Sequence, residues 1–155
     1  MNKNSENLLE ISNLTTVLDL DEGKLIAVNG VDLLIKKEKT LGIVGESGCG
    51  KSMLAQTILR IEPKFAKIGG KIKLFSKNDN YIDLVKFKRN ATELNKVRGD
   101  RISMIFQEPM TAFSALHTIG NQLKEAIYLH KTKDKKYANE IAIQTLNKVG
   151  ISNPT

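Results

Sequence analysis

Hydrophobic and polar positions alternate early in the chain: Val31, Leu33 and Ile35 fall on one side of a segment whose other positions include Asp32 and Lys36. A period of two is the pattern of a strand with one buried face. Leu8 to Leu14 reads as another strand, and Thr40-Leu41-Gly42-Ile43-Val44 as a short buried parallel strand running into a loop. After that loop the period becomes helical. Leu54, Ile58 and Ile61 share one face of a helix that must stop near Pro63, because the residue before a proline is pushed away from the helical region.

Gly69-Gly70 opens a further alternating stretch with Ile72 and Leu74 on one side, and a polar turn at Asn78-Asp79-Asn80 links it to Tyr81 through Leu84 as a hairpin. Asn90 to Val97 is predicted as a helix ending at Gly99. Ile102, Met104, Ile105 and Phe106 are predicted as a second buried strand, with Gln107 just past its end. Two amphipathic helices follow. One carries Ile119, Leu123, Ala126 and Ile127 on a face, the other Ala138, Ile141, Ala142, Thr145 and Val149. No internal repeat or low-complexity linker interrupts the chain.

The length, 155 residues with 41% hydrophobic, is that of one domain at most. A formal charge of +7 raises the question of an anionic partner. The lysines fall in separate groups, Lys36 to Lys39, Lys86 to Arg89 and Lys131 to Lys136, with few aromatics among them to stack on bases, so solvated faces are the simpler reading and no nucleic acid is expected. The polar N-terminus offers no apolar core for a secretory signal, and no apolar run approaches the ~20 residues of a spanning helix, which predicts an intracellular chain that does not itself cross a membrane. One cysteine, Cys49, excludes an intrachain disulfide and a multi-cysteine metal site, and His117 and His130 lie apart without a ligand pattern.

Chemistry enters at Gly45-Glu46-Ser47-Gly48-Cys49-Gly50-Lys51-Ser52, which fits glycine, four residues, glycine, lysine, then serine or threonine. Glycines let such a loop wrap tightly enough for its backbone N–H groups to face a polyphosphate, while the following helix presents its positive end. Lys51 would neutralise the β and γ phosphates of a nucleotide, and the Ser52 hydroxyl would take one position on Mg²⁺. The predicted strand before and helix after supply the context this chemistry needs. A guanine-reading Asn-Lys-x-Asp is absent, since Asn95-Lys96 and Asn147-Lys148 continue Val-Arg and Val-Gly. A small-molecule kinase would usually add arginine-bearing lid segments, and none is identifiable.

Ile102-Ser103-Met104-Ile105-Phe106-Gln107-Glu108-Pro109-Met110-Thr111 closely resembles the glutamine loop of ABC transporter ATPases. Leu8-Leu9-Glu10, Ala27-Val28-Asn29-Gly30-Val31, the segment from Thr40 to Gly48, and Thr118-Ile119-Gly120 are similar to the oligopeptide and dipeptide branch of that family. The resemblance implies an α/β fold: a P-loop NTPase core of the ABC ATPase type, with an N-terminal antiparallel β region and part of a helical subdomain, truncated. It places the phosphate loop at 45–52, the glutamine loop around 107 and the start of the helical subdomain at about 112–150. By the same resemblance Gln107 addresses the metal and the water that attacks, and couples to membrane subunits.

The implied activity is ATP binding and, in the full-length protein, hydrolysis that drives import of peptides or related solutes. The implied partners are transmembrane permease subunits, a second ATP-binding subunit and, indirectly, an external solute-binding protein, at the cytoplasmic face of the plasma membrane. Alternatives are a nucleotide-binding module without hydrolysis and a soluble ABC-type ATPase. Three departures stand out: Leu18 where the family usually has an adenine-stacking aromatic, Glu38 where it commonly has glycine in a turn, and Ala112 to Leu116 in place of an asparagine-proline segment. The signature loop, the strand ending in aspartate and glutamate, and the switch histidine are not found, so the 155-residue chain alone is expected to be inactive as an ATPase.

Overall fold

In the computed structural model the described residues are 6–76, 80–108 and 113–153. They divide into two compact units, Met1–Arg98 and Gly99–Thr155. The first is built on an antiparallel sheet. Strand β1 (Asn7–Leu20) turns at Asp21-Glu22 into β2 (Gly23–Lys36), while β3 (Ala66–Phe75) pairs with the other edge of β1, and β4 (Tyr81–Asp83) completes the order β2-β1-β3-β4. The alternation expected at Val31, Leu33 and Ile35 is present, each being less exposed than its neighbours in sequence.

The inward positions of β1 change parity along the strand. Leu9 and Ile11 are buried, and so are Leu14, Thr16 and Leu18. The switch occurs at a bulge: Asn13 has φ 47°, and the β1–β3 register shifts between Ser12 and Thr15. One extra residue there keeps both halves of the strand facing the same core. Gly70, with φ 89°, lies in β3 against this bulge, where any Cβ would run into the carbonyl oxygen of Asn13. Gly69-Gly70 is thus the middle of β3, and not the opening of a strand.

Helix α1 (Lys51–Ile58) packs on this sheet through Leu54 and Thr57. It ends earlier than expected. Arg60 N–H donates to Thr57 O (3.1 Å) and Ile61 N–H to Gln56 O (3.0 Å), the paired closure of a Schellman motif, with Arg60 at φ 57° where glycine is usual. The arginine is kept there by its side chain. Its guanidinium, in a residue only 8% exposed, donates to the carbonyl oxygens of Leu84 (2.6 Å), Val85 (3.1 Å) and Phe87 (3.0 Å).

The contact is reciprocal. Arg98, following α2 (Thr92–Val97), donates to Leu59 O (2.8 Å) and Arg60 O (2.5 Å) at the carbonyl end of α1, and to Arg89 O (3.2 Å) in the segment before α2. Burial pushes the Arg98 pKa down, opposed by the Glu62 carboxylate and reinforced by Arg89 and Arg60. Glu62, 3% exposed, brings Oε1 within 3.5 Å of Arg60 Nε without a hydrogen bond.

Two expected strands are not formed. Residues 41–44 carry no ladder and are exposed, Val44 to 94%, and the segment from Met104 to Phe106 is likewise unladdered, with Ile105 at 94%. A buried parallel strand needs a neighbouring strand to pair with and cover on both faces. The described residues supply neither to these segments.

In the second unit α3 (Ile119–His130) and α4 (Lys135–Lys148) pack on each other. Thr118 caps α3, its hydroxyl accepting from Asn121 N–H (3.3 Å), and Asp134 caps α4 by accepting from Tyr137 N–H (2.9 Å). The inward face of α4 is made of small residues, Ala138 and Ala142. Ile119 and Val149, expected on inward faces, are instead 56% and 69% exposed. Among the described residues no helix is long and apolar enough to cross a membrane.

Candidate phosphate-binding site

Residues 45–52 form the loop and first turn that join the exposed 41–44 segment to α1. Gly50 precedes the helix at φ 95°, and a Cβ on it would collide with the carbonyl oxygen of Ala27 in β2. Only glycine allows both that dihedral and that approach. The loop is therefore seated on β2. No side chain caps the N-terminus of α1, and no acidic residue occupies its first turn. The first-turn N–H groups, which lack intrahelical partners by the geometry of any α-helix, are left for an anion.

Lys51 folds back over the loop. Its Nζ donates to Gly45 O (2.7 Å) and Glu46 O (2.6 Å) and lies 3.4 Å from Cys49 Sγ. An ammonium clasped by two carbonyl oxygens already sits at the centre of the turn, within reach of whatever the loop encloses. Ser52 is exposed in the first turn of the helix, and Cys49 is exposed on the loop. Beside them, between β2 and the loop, is an open cavity of 430 Å³ lined by Ile26, Val28, Val31, Leu33 and Leu54, with Lys51 and Cys49 also on its wall.

Gly45, Glu46, Ser47, Gly48, Cys49, Gly50, Lys51 and Ser52 thus lie in one loop and the first turn of α1. Gln107 belongs to the second unit, where it is exposed. Pro109, Met110, Thr111 and Ala112 lie outside the described residues, as do Asn78 and Asp79 of the predicted hairpin turn. Leu18, at the position of the family aromatic, is 9% exposed and belongs to the sheet core. No group of three or more His, Cys, Asp or Glu able to hold a metal occurs among the described residues.

Sequence reasoning missed what holds α1 from behind. Thr57 packs its hydroxyl against that of Thr16 in β1 (3.0 Å), and the Arg60–Arg98 clasp fixes the far end of the helix. Thr57 carries a weak signal, a polar residue one turn from Leu54 on the inward side. Arg60 carries none, since its role depends on a positive φ that arginine rarely adopts.

Comparison with known proteins shows the family and the fold. The profile described as ABC transporter matches residues 28–155. The oligopeptide transport ATP-binding protein AppD of Bacillus subtilis is 42% identical over 147 residues, covering 94% of this chain and 43% of its own length. The dipeptide transport ATP-binding protein DppD of the same organism is 38% identical, covering 96% of this chain and again 43% of its own. This chain therefore spans less than half the length of these relatives. The dimeric structure of a bacterial ABC transporter cassette superposes with a TM-score of 0.72 at 21% identity, covering 94% of this chain and 59% of that one. That likeness shows the fold: an ABC ATPase cassette with its antiparallel N-terminal sheet and the beginning of its helices.

Proposed function

Because this chain belongs to the ABC transporter family, matched over residues 28–155, we propose that its 45–52 loop binds the phosphates of Mg-ATP and that the protein uses hydrolysis to drive import of peptides or related solutes. The observation that carries the reading is Lys51 clasped at the centre of an uncapped, glycine-built turn. When the nucleotide arrives, the Lys51 ammonium would exchange two carbonyl oxygens for phosphate oxygens, a stronger charge-assisted contact. Backbone N–H groups of the loop and first turn would hold the polyphosphate. ATP would supply the transferable phosphoryl group and Mg²⁺ positive charge to offset that of the phosphates, and the Ser52 hydroxyl would be one of the groups that hold the ion. The exposed Ser52 hydroxyl, in the first turn of α1 beside Lys51, fits that role, and Gln107 is the other residue proposed to address the metal.

Residues 1–155 are proposed as part of one nucleotide-binding domain, with Gln107 in a glutamine loop that addresses metal and attacking water, and a helical subdomain beginning at about residue 112. The partners proposed are transmembrane permease subunits and a second ATP-binding subunit, with an external solute-binding protein acting indirectly, at the cytoplasmic face of the plasma membrane. Names of relatives that carry oligopeptides and dipeptides support the solute class.

Calorimetry with Mg-ATP tests the central step. Lys51→Ala should bind at least about tenfold more weakly, the scale of one lost charge-assisted hydrogen bond. Equal affinity would overturn the assignment of the loop.

A further inference from the structure

The turn between α3 and α4 concentrates charge in a way nothing else in its unit does. Lys131, Lys133, Lys135 and Lys136 occupy four of six successive positions, and they are four of the seven basic residues between Gly99 and Thr155. All four are exposed. The one acidic residue among them, Asp134, is engaged as the cap of α4. Lys133 is committed too, donating to Tyr128 O (2.8 Å) at the end of α3. The side-chain ammonium groups of Lys131, Lys135 and Lys136 make no hydrogen bond or ion pair among the described residues.

Large apolar side chains flank this charge and share its exposure. Leu129, in the last turn of α3, is 65% exposed, and Tyr137, in the first turn of α4, is 55% exposed. A solvated lysine turn has no need of either. A phosphate backbone would use the lysines and leave Leu129 in water, with no gain from it. The interface of an anionic bilayer uses both kinds of group: lysines pair with headgroups, while leucine and an amphipathic tyrosine bury apolar surface at the acyl boundary.

We propose that the α3–α4 turn is a membrane-contact surface, with Lys131, Lys135 and Lys136 on anionic lipid headgroups and Leu129 and Tyr137 entering the interface. The choice of lipid rests on the reading that this protein works at a membrane. Under it, the turn touches the bilayer directly, in addition to any contact with permease subunits.

Vesicle flotation tests the surface, because only protein carried up by lipid is scored and self-association cannot mimic binding. The full chain should float with vesicles of phosphatidylcholine and phosphatidylglycerol in equal parts, and stay behind with phosphatidylcholine alone or at high salt. Each lysine at an anionic surface contributes about fivefold to affinity, so Lys131→Gln/Lys135→Gln/Lys136→Gln should weaken flotation by about a hundredfold. The control Lys37→Gln/Lys64→Gln/Lys88→Gln, equal in charge, should not. Leu129→Ser/Tyr137→Ser should weaken flotation with every lysine retained. Equal loss in the control would reduce the effect to net charge and overturn the proposal. So would undiminished flotation of the lysine variant, or lysine-dependent binding of a duplex oligonucleotide without any flotation. Mg-ATP affinity of the turn variants should be unchanged, so this result and that of Lys51→Ala fail independently.

Discussion

The hydroxyls of Thr16 and Thr57 meet at 3.0 Å with neither residue exposed at all. One stands on β1 and the other on α1, the helix that begins with Lys51. Loss of either partner leaves a buried hydroxyl without a hydrogen bond, at a cost of about 1–3 kcal/mol, whereas replacing both by apolar groups of like shape is close to neutral. Thr57→Val and Thr16→Val should each destabilise by that amount in urea unfolding, and the double variant by less than the sum.

The turn after β2 holds Glu38 at φ 56°. A non-glycine residue in the left-handed region costs roughly 1–2 kcal/mol in strain, partly offset by the greater freedom that glycine loses on folding. Glu38→Gly should therefore stabilise the protein by about 0.5–1 kcal/mol, read as a rise in the urea midpoint with an unchanged slope. The departure from the family glycine noted in the sequence thus has a backbone cost.

For Gln107 the expectation is a split between binding and turnover. Gln107→Ala in the complete transporter should keep its Mg-ATP affinity within about twofold and lose hydrolysis and transport by about tenfold or more, as for a residue engaged only in the reacting complex. Steady-state rates beside equilibrium binding would decide it, and wild-type rates would remove the proposed role.

Cys49 is exposed, with its sulfur 3.4 Å from Lys51 Nζ. An adduct there would fill the turn in which phosphate is proposed to sit. Maleimide should abolish ATP binding, ATP should slow the reaction, and Cys49→Ser should be indifferent to the reagent. Mass spectrometry alongside binding would separate an unreactive thiol from a harmless adduct.

The sheet and the loop were legible because both are written in local code. Alternation at Val31, Leu33 and Ile35 announced β2, and the glycine spacing from Gly45 to Gly50 announced the turn before α1. What escaped depends on distant partners. The parity change in β1 needs Gly70, more than fifty positions further along the chain, to make room for the Asn13 bulge. Helix α1 ends before the limit that Pro63 sets because its stop is an arginine, intelligible only through carbonyls in the 84–87 segment. The short apolar runs at Ile43 and Ile105 have the pattern of buried strands, yet burial is a property of neighbours, and these segments have no ladder among the described residues.

The interlocked arginines behind α1 also bear on how this sequence could change over generations. Replacing Arg98 alone strips donors from Leu59 O and Arg60 O, and replacing Arg60 alone strips them from three carbonyls while stranding the buried Glu62 carboxylate. Even glycine at position 60, which the backbone angle favours, forfeits the guanidinium. Every single substitution at these two positions leaves carbonyl oxygens behind α1 without their donors, so a replacement that keeps the end of the helix intact has to change several residues together.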